Sequence, residues 1–274
     1  MVPMESNPNA PGGAFAQHPS RAVRSMVREI VLASGGTAPA EGSLYSELHA
    51  EVARRRIDRI IFDGDCDECL WLCGEIRSGR LGSNPFAGLI AVLSSADEPR
   101  VRRTIDAGVD SVLLLPFSKD AAVLRFAALR KARPFVVSGD YVGPDRRKEA
   151  RGGAAFLMSA PDPSRPEDEI QAASRILEVR LRRALADRFV HALSEAVSRK
   201  TLGAEIEPEL KMDVKRSRDR LAAHAPPSPP PAFSNLLERS SDLPRLFSAG
   251  PLDFVAVLEE ARRFARWASE SCGA

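Results

Sequence analysis

Apolar and polar positions along the first half of the chain alternate between two rhythms, short unbroken apolar runs and helical stripes. Arg59-Ile60-Ile61-Phe62-Asp63-Gly64-Asp65 sets the pattern, with three apolar residues running straight into an aspartate and a glycine. A continuous apolar run of this kind suits a strand buried on both faces of a parallel sheet. Taken alone, the stretch reads as a strand followed by a polar turn. Leu89–Leu93 and Val112–Leu115 repeat the signature, and Ala14-Phe15-Ala16 and Thr37–Ala40 are weaker strand candidates. Between them lie stripes at helical spacing: Val23, Met26, Val27 and Ile30; Leu44, Leu48 and Val52; Leu70, Leu72 and Ile76. Gly35-Gly36 closes the first helix, and Gly108 closes a helix over Asp97–Ala107. Ala121–Lys131 is the last helix of this series. Five βα units in succession predict an α/β fold, a doubly wound five-stranded parallel sheet with helices on both faces.

Beyond Ala132 the rhythm breaks. Residues 133–165 read as an extended tail and linker, with Arg133–Val137 extended and Glu149–Pro166 rich in Gly, Ala and Pro. A long helix is expected from Pro166 to Leu202, striped by Ile170, Ala173, Leu177, Leu181, Ala184 and Leu185. Lys211–His224 is charged and poorly apolar. The division is residues 1–13 as a disordered N-terminus, 14–132 as the α/β domain, 166–225 as a helical region, 226–232 as a proline-rich linker, and 233–274 as a C-terminal helical region. In the last region Phe254, Val257, Leu258, Ala261, Phe264 and Ala265 stripe a helix over Leu252–Trp267. The C-terminal half is therefore mostly α-helical, suited to a helical hairpin, a coiled-coil dimer or docking.

Charge narrows the function classes. The formal net charge is +2, with basic and acidic residues interspersed. A nucleic-acid partner wants a one-signed patch, so none is expected. The apolar runs are too short to span a bilayer. The segment Met1–Gly13 lacks the basic-then-apolar order of a secretory signal, and the expected location is the cytoplasm. Of the four cysteines, Cys66, Cys69 and Cys73 cluster at a strand-helix junction, and Cys272 is nearly terminal. Their spacing admits a metal site or a redox pair, though no second Cys/His pair completes a metal motif. Small half-buried thiols are the plainer account.

Several segments, in order, resemble the receiver domain of two-component response regulators. His18-Pro19-Ser20-Arg21 resembles the loop after its first strand, and Ile60–Asp63 its third strand with the phosphoacceptor. Leu93-Ser94-Ser95 resembles the fourth-strand hydroxyl motif. Asp106-Ala107-Gly108-Val109-Asp110 and Leu114-Leu115-Pro116-Phe117-Ser118 resemble the stretch around the fifth strand. Arg133-Pro134-Phe135 with Tyr141-x-Gly143-Pro144-Asp145-Arg146-Arg147 resembles a receiver subgroup typical of alphaproteobacteria. The resemblance covers residues Ala14 to Lys131 and this tail.

The resemblance implies phosphoryl transfer from a histidine kinase to an aspartate. That chemistry needs a nucleophilic carboxylate, a pair of acids for Mg²⁺, which prefers oxygen ligands, and a lysine and a hydroxyl that meet the phosphoryl charge. Carried over, the acceptor is Asp63 and the hydroxyl is Ser94. The acid pair falls on Ala16 and Gln17, and the lysine position on Leu115. None of these three supplies the expected charge. Asp65 and Asp67 are weak candidates for a compensating metal carboxylate. Losing one preorganised charge contact costs about 3 kcal/mol by analogy with an oxyanion-hole donor, so losing several slows phosphorylation by orders of magnitude.

The expectation is a degenerate receiver, or pseudo-receiver: a signalling adaptor that is not an enzyme and needs no cofactor. It would bind a protein partner, such as a histidine kinase or phosphorelay component, or a second copy of itself. The binding face would be the helix from Asp97, the strand Val112–Leu115 and the helix after it. The alternatives are a working response regulator phosphorylated on Asp63 with Mg²⁺, and a Cys-based metal or redox sensor. His191, on the long helix, reads as ordinary surface rather than as a phosphotransfer histidine. Arg146-Arg147 reads as a solvated turn.

Overall fold

The computed structural model describes residues 13–146, 155–248 and 250–270. The N-terminal stretch before Gly13, Arg147, Glu149 and Cys272 lie outside the described residues. Two compact units emerge. The first takes residues 13–136, 141–146 and 157–175; the second takes the remainder.

The first unit opens with β1 (Gly13–Gln17), α1 (Arg21–Ala33), β2 (Ala40–Gly42), α2 (Tyr45–Arg54) and β3 (Ile57–Asp63). It continues with α3 (Asp67–Arg77), β4 (Gly88–Leu93), α4 (Glu98–Asp106), β5 (Ser111–Leu114) and α5 (Lys119–Ala128). The five strands are parallel in the order β2-β1-β3-β4-β5. This is the doubly wound order whose switch point lies between β1 and β3.

The pleat explains why the strands read as unbroken apolar runs. Successive side chains point to opposite faces, and both faces are covered. Phe15, Ile60, Phe62, Leu89 and Ala91 face α2 and α3 with Leu48, Leu72 and Ile76. Ala14, Ala16, Ile61, Ile90 and Val92 face α1 and α5 with Val27, Ile30 and Phe126.

The helix signals correspond to real caps. Asp97 accepts the Arg100 N–H at 3.1 Å and Ser118 the Ala121 N–H at 3.2 Å. Gly108 ends α4 at φ +90°, and a Cβ there would lie 2.7 Å from the Val142 carbonyl, so only glycine fits. Leu44 departs from its expected place in the stripe of α2. It is the residue before the helix and is 60% exposed.

The expected extended tail and linker contains ordered structure. Strands β6 (Arg133–Val137), β7 (Val142–Pro144) and β8 (Phe156–Ala160) form a second sheet in the order β7-β6-β8. Composition hid β8 because its neighbours are rich in Gly, Ala and Pro, while Phe156-Leu157-Met158 supplies the strand. A buried charge network fastens this region to the base of the first sheet. Arg77 is 1% exposed. Its guanidinium donates to Gly108 O (2.8 Å), Pro85 O (2.8 Å) and Ala87 O (2.7 Å), and pairs with Asp110 at 2.7 Å. Arg133 meets the same carboxylate and donates to Phe86 O at 2.8 Å. Arg146 donates to Val109 O at 2.6 Å, so it anchors this region rather than ending in a solvated turn.

The second unit is helical. Helix α6 (Glu167–Thr201) contributes its residues from Ile176 onward. It is followed by α7 (Pro208–Ala223), α8 (Pro231–Arg239), α9 (Leu243–Ser248) and α10 (Pro251–Glu270). The charged segment Lys211–His224 is thus a helix, with Val214, Ser217 and Leu221 buried on a narrow face. Helix α8 begins within the expected proline linker, because Pro231 is tolerated in a first turn. Phe264 meets Phe233 in a tilted pair at 4.7 Å and stacks on Trp267 at 5.4 Å between ring centroids. No helix among the described residues is long and apolar enough to cross a membrane.

Candidate functional site

The C-terminal end of β3 delivers Asp63 to the switch point, with the ends of β1 and β4 on either side. Gly64 makes this possible. Its N–H donates to Val92 O at 2.7 Å, and a Cβ there would meet Leu93 at 2.7 Å and Ala91 at 3.0 Å. The chain crosses β4 at a distance that no side chain permits.

Asp63 is half-buried, and its carboxylate folds back on its own turn. Oδ1 accepts the Asp65 N–H at 2.9 Å. Asp65 in turn reaches across to β4, where Oδ2 accepts the Ser94 N–H at 2.9 Å. Asp67 turns away toward α4 and pairs with Arg100 at 2.5 Å and Arg103 at 3.9 Å. The carboxylates of this loop are therefore spread over three tasks. Among the described residues, no three His, Cys, Asp or Glu side chains gather as a metal ion's ligands would.

Ala16 and Gln17 end β1. Ala16 pairs with Ile61 in register and is buried. Gln17 is also buried, with its amide spent on three contacts. Oε1 accepts the Asp63 N–H at 3.0 Å and the Cys69 S–H at 3.5 Å, and Nε2 donates to Ser43 O at 3.2 Å. A neutral amide thus ties three segments together at this position. Ser94 is exposed beyond β4. Leu115 lies just past β5, half-buried, its N–H on Leu93 O at 2.9 Å, and the Leu115–Pro116 peptide is cis. It presents no charge toward the pocket.

His18 belongs to the pocket and was missed as a site residue in the sequence. Its position directly after a strand end was the available signal. The Ser20 N–H donates to Nδ1 at 3.0 Å, which leaves the ring proton to Nε2 in the neutral form. Burial lowers its pKa, opposed by the negative charge of Asp63 and Asp65. Arg24 holds the same loop by donating to His18 O at 2.5 Å and Pro19 O at 3.0 Å.

The three cysteines sit beside this pocket. Cys66 caps α3, its sulfur accepting the Cys69 N–H at 3.3 Å. Cys69 and Cys73 are buried inside the helix. Burial pushes both thiols up, Cys73 to about 12.

No protein-family model matches the chain, and no curated protein matches it. Solved structures do. A response regulator from Thermotoga maritima is 20% identical, with 43% of this chain and 96% of that one covered at a TM-score of 0.38. A signal receiver domain of a two-component histidine kinase from Clostridium thermocellum is 16% identical, covering 43% and 95% at 0.38. The chemotaxis protein CheY4 of Vibrio cholerae is 18% identical, covering 43% and 98% at 0.37. The α/β assignment itself rests on the strand order and register of this chain.

Proposed function

We propose that the first unit is a degenerate receiver domain and the chain a signalling adaptor. It binds a protein partner without accepting a phosphoryl group and catalyses no reaction of its own. The observation that supports this best is Gln17. Where a phosphoryl-accepting pocket needs an anionic metal ligand, a buried amide is bonded to the backbone of Asp63 itself. Leu115 supports the same reading by leaving no cation to meet a phosphoryl charge. Asp65 and Asp67, the carboxylates available to compensate, are bonded to Ser94 and Arg100.

The binding face in this reading is formed by α4, β5 and α5. β5 is an edge strand, and Arg125 covers its free carbonyl at Val112, which discourages further strand pairing. Leu114 and Leu124 remain 39% and 72% exposed on it. Exposed apolar side chains of this size suit a protein partner, a phosphorelay component or a second copy. The proposed setting is cytoplasmic.

Asp63 and Ser94 keep the acceptor and hydroxyl positions, and this favours a second reading. In it the chain is a working response regulator, phosphorylated on Asp63 by a histidine kinase with Mg²⁺. Incubation with acetyl phosphate and Mg²⁺, read by phosphate-affinity electrophoresis, separates the two. The adaptor reading expects no shift for the native chain and a gain for Ala16→Asp/Gln17→Asp/Leu115→Lys. An Asp63-dependent shift in the native chain overturns it.

A further inference from the structure

We propose that Cys66 and Cys69 form a reversible redox pair, closed to a disulfide by a peroxide and reopened by a thiol reductant. Both thiols are free and lie within one helical turn. Cys66 is at the N-cap, half-exposed, and Cys69 is buried one turn in. The Cys66 sulfur already rests on the Cys69 N–H at 3.3 Å, and its proximity is one of the causes that raise the Cys69 thiol. This places an accessible attacking sulfur against a protected one, the arrangement that Cys-x-x-Cys pairs at helix starts exploit.

Cys73 is excluded as the partner. Its S–H donates along the helix to Cys69 O at 3.3 Å, and the residue is fully enclosed.

Closing the pair breaks few bonds. The Cys66 S–H donates to Glu68 at 3.4 Å, and Glu68 is exposed and returns to water. The Cys69 S–H donates to Gln17 Oε1, which keeps the Asp63 N–H. No buried acceptor is stranded, so the large penalty for an unsatisfied group does not arise. The oxidant follows from charge. Asp67 is paired with Arg100 and Arg103, but Asp65 and Glu68 lie beside Cys66 along the chain, and they repel an anionic disulfide such as oxidised glutathione but not neutral hydrogen peroxide.

The chemistry balances in two steps. The Cys66 thiolate sulfur attacks one peroxide oxygen, the O–O bond breaks, and the departing hydroxide takes a proton as water. This leaves Cys66 as a sulfenic acid. The Cys69 sulfur then attacks the Cys66 sulfur, and the S–O bond breaks. The hydroxyl leaves as water with the Cys69 proton. Two thiols and one peroxide give one disulfide and two waters. None of this depends on whether Asp63 takes a phosphoryl group.

The test uses the full chain carrying Cys272→Ser, reduced and then treated with one equivalent of hydrogen peroxide. Intact mass and peptide mapping are the readouts. The expected result is loss of two hydrogens, a Cys66–Cys69 linkage, full recovery with dithiothreitol, and the same behaviour in Cys73→Ser. Cys66→Ser should abolish the mass loss. Stable sulfinic acid on Cys66, a Cys69–Cys73 linkage, or no change overturns the proposal. The protein with Cys66, Cys69 and Cys73 intact decides the matter even where a serine variant fails to fold.

Discussion

Gln17 accepts the backbone N–H of Asp63 on its side-chain oxygen at 3.0 Å. Through Nε2 it also holds the Ser43 carbonyl at the entry to α2. One buried amide therefore joins β1, β3 and the segment after β2. Gln17→Ala leaves the Asp63 N–H and the Ser43 carbonyl without this partner. A loss of about 1–3 kcal/mol is expected, read by urea unfolding, since a stranded buried group costs that much.

Asp110 makes a stronger prediction. Its carboxylate is 3% exposed and is met by Arg77 and Arg133 together. Arg77→Met leaves Asp110 to Arg133 alone and strips the buried Gly108 and Pro85 carbonyls of their donor, and breaking a buried charge network of this kind costs about 3–5 kcal/mol. Arg77→Met should destabilise by that amount, whereas Arg54→Met, at an exposed pair with Glu51, should change stability by less than ~1 kcal/mol. Equilibrium unfolding of the two variants measures the contrast.

Asp58 sets a pH dependence. It is fully buried, and Oδ2 has no hydrogen-bond partner among the described residues. Burial raises its pKa from 3.8 to about 6, opposed by Arg56, Arg59 and Asn84. A raised carboxyl pKa means the folded state holds a proton that the unfolded state has already released. Stability from this group is therefore present at low pH and is lost as pH rises from about 4 to 6. The loss is on the order of 2–3 kcal/mol. Asp58→Asn should flatten the unfolding free energy over that window, measured by denaturant titration at a series of pH values.

The helical unit rests on aromatic packing. Phe264 touches both Phe233 and Trp267. Phe264→Ala should cost about 3–5 kcal/mol through the cavity it leaves. Trp267 fluorescence should shift toward the emission of a solvated indole.

The α/β order was legible because parallel strands buried on both faces leave an unbroken apolar trace. Ile60–Phe62 and Leu89–Leu93 could hardly be anything else. The place of Asp63 at the end of a strand was legible for the same reason, whereas its candidacy as an acceptor came only from the resemblance to receiver domains. Of the second sheet, only Arg133–Val137 was legible, expected as extended and found as β6; β7 and β8 were not. β7 and β8 are short, and the ties that Arg77, Arg133 and Arg146 make to Asp110 and to backbone carbonyls near the first sheet follow from no spacing in the sequence. Helix α6 is enclosed on several sides from Leu181 to Ala196, so a single expected stripe described only part of it. Gln17 entered the sequence reading only as a position where the resemblance to receiver domains implies an acid. Its tie to Asp63 depends on the register of β1 against β3, which local pattern does not encode.

The central proposal is that this pocket does not take a phosphoryl group. Trp71, eight residues past Asp63 and 56% exposed on α3, is the probe. With Trp267→Phe it becomes the sole tryptophan of the chain. Reduced protein is titrated with beryllofluoride and Mg²⁺, and Trp71 emission is followed alongside an Asp63→Ala control. The account predicts no saturable change in either protein while circular dichroism shows both folded. A saturable change that disappears with Asp63→Ala would contradict it and make the chain a working phosphoacceptor.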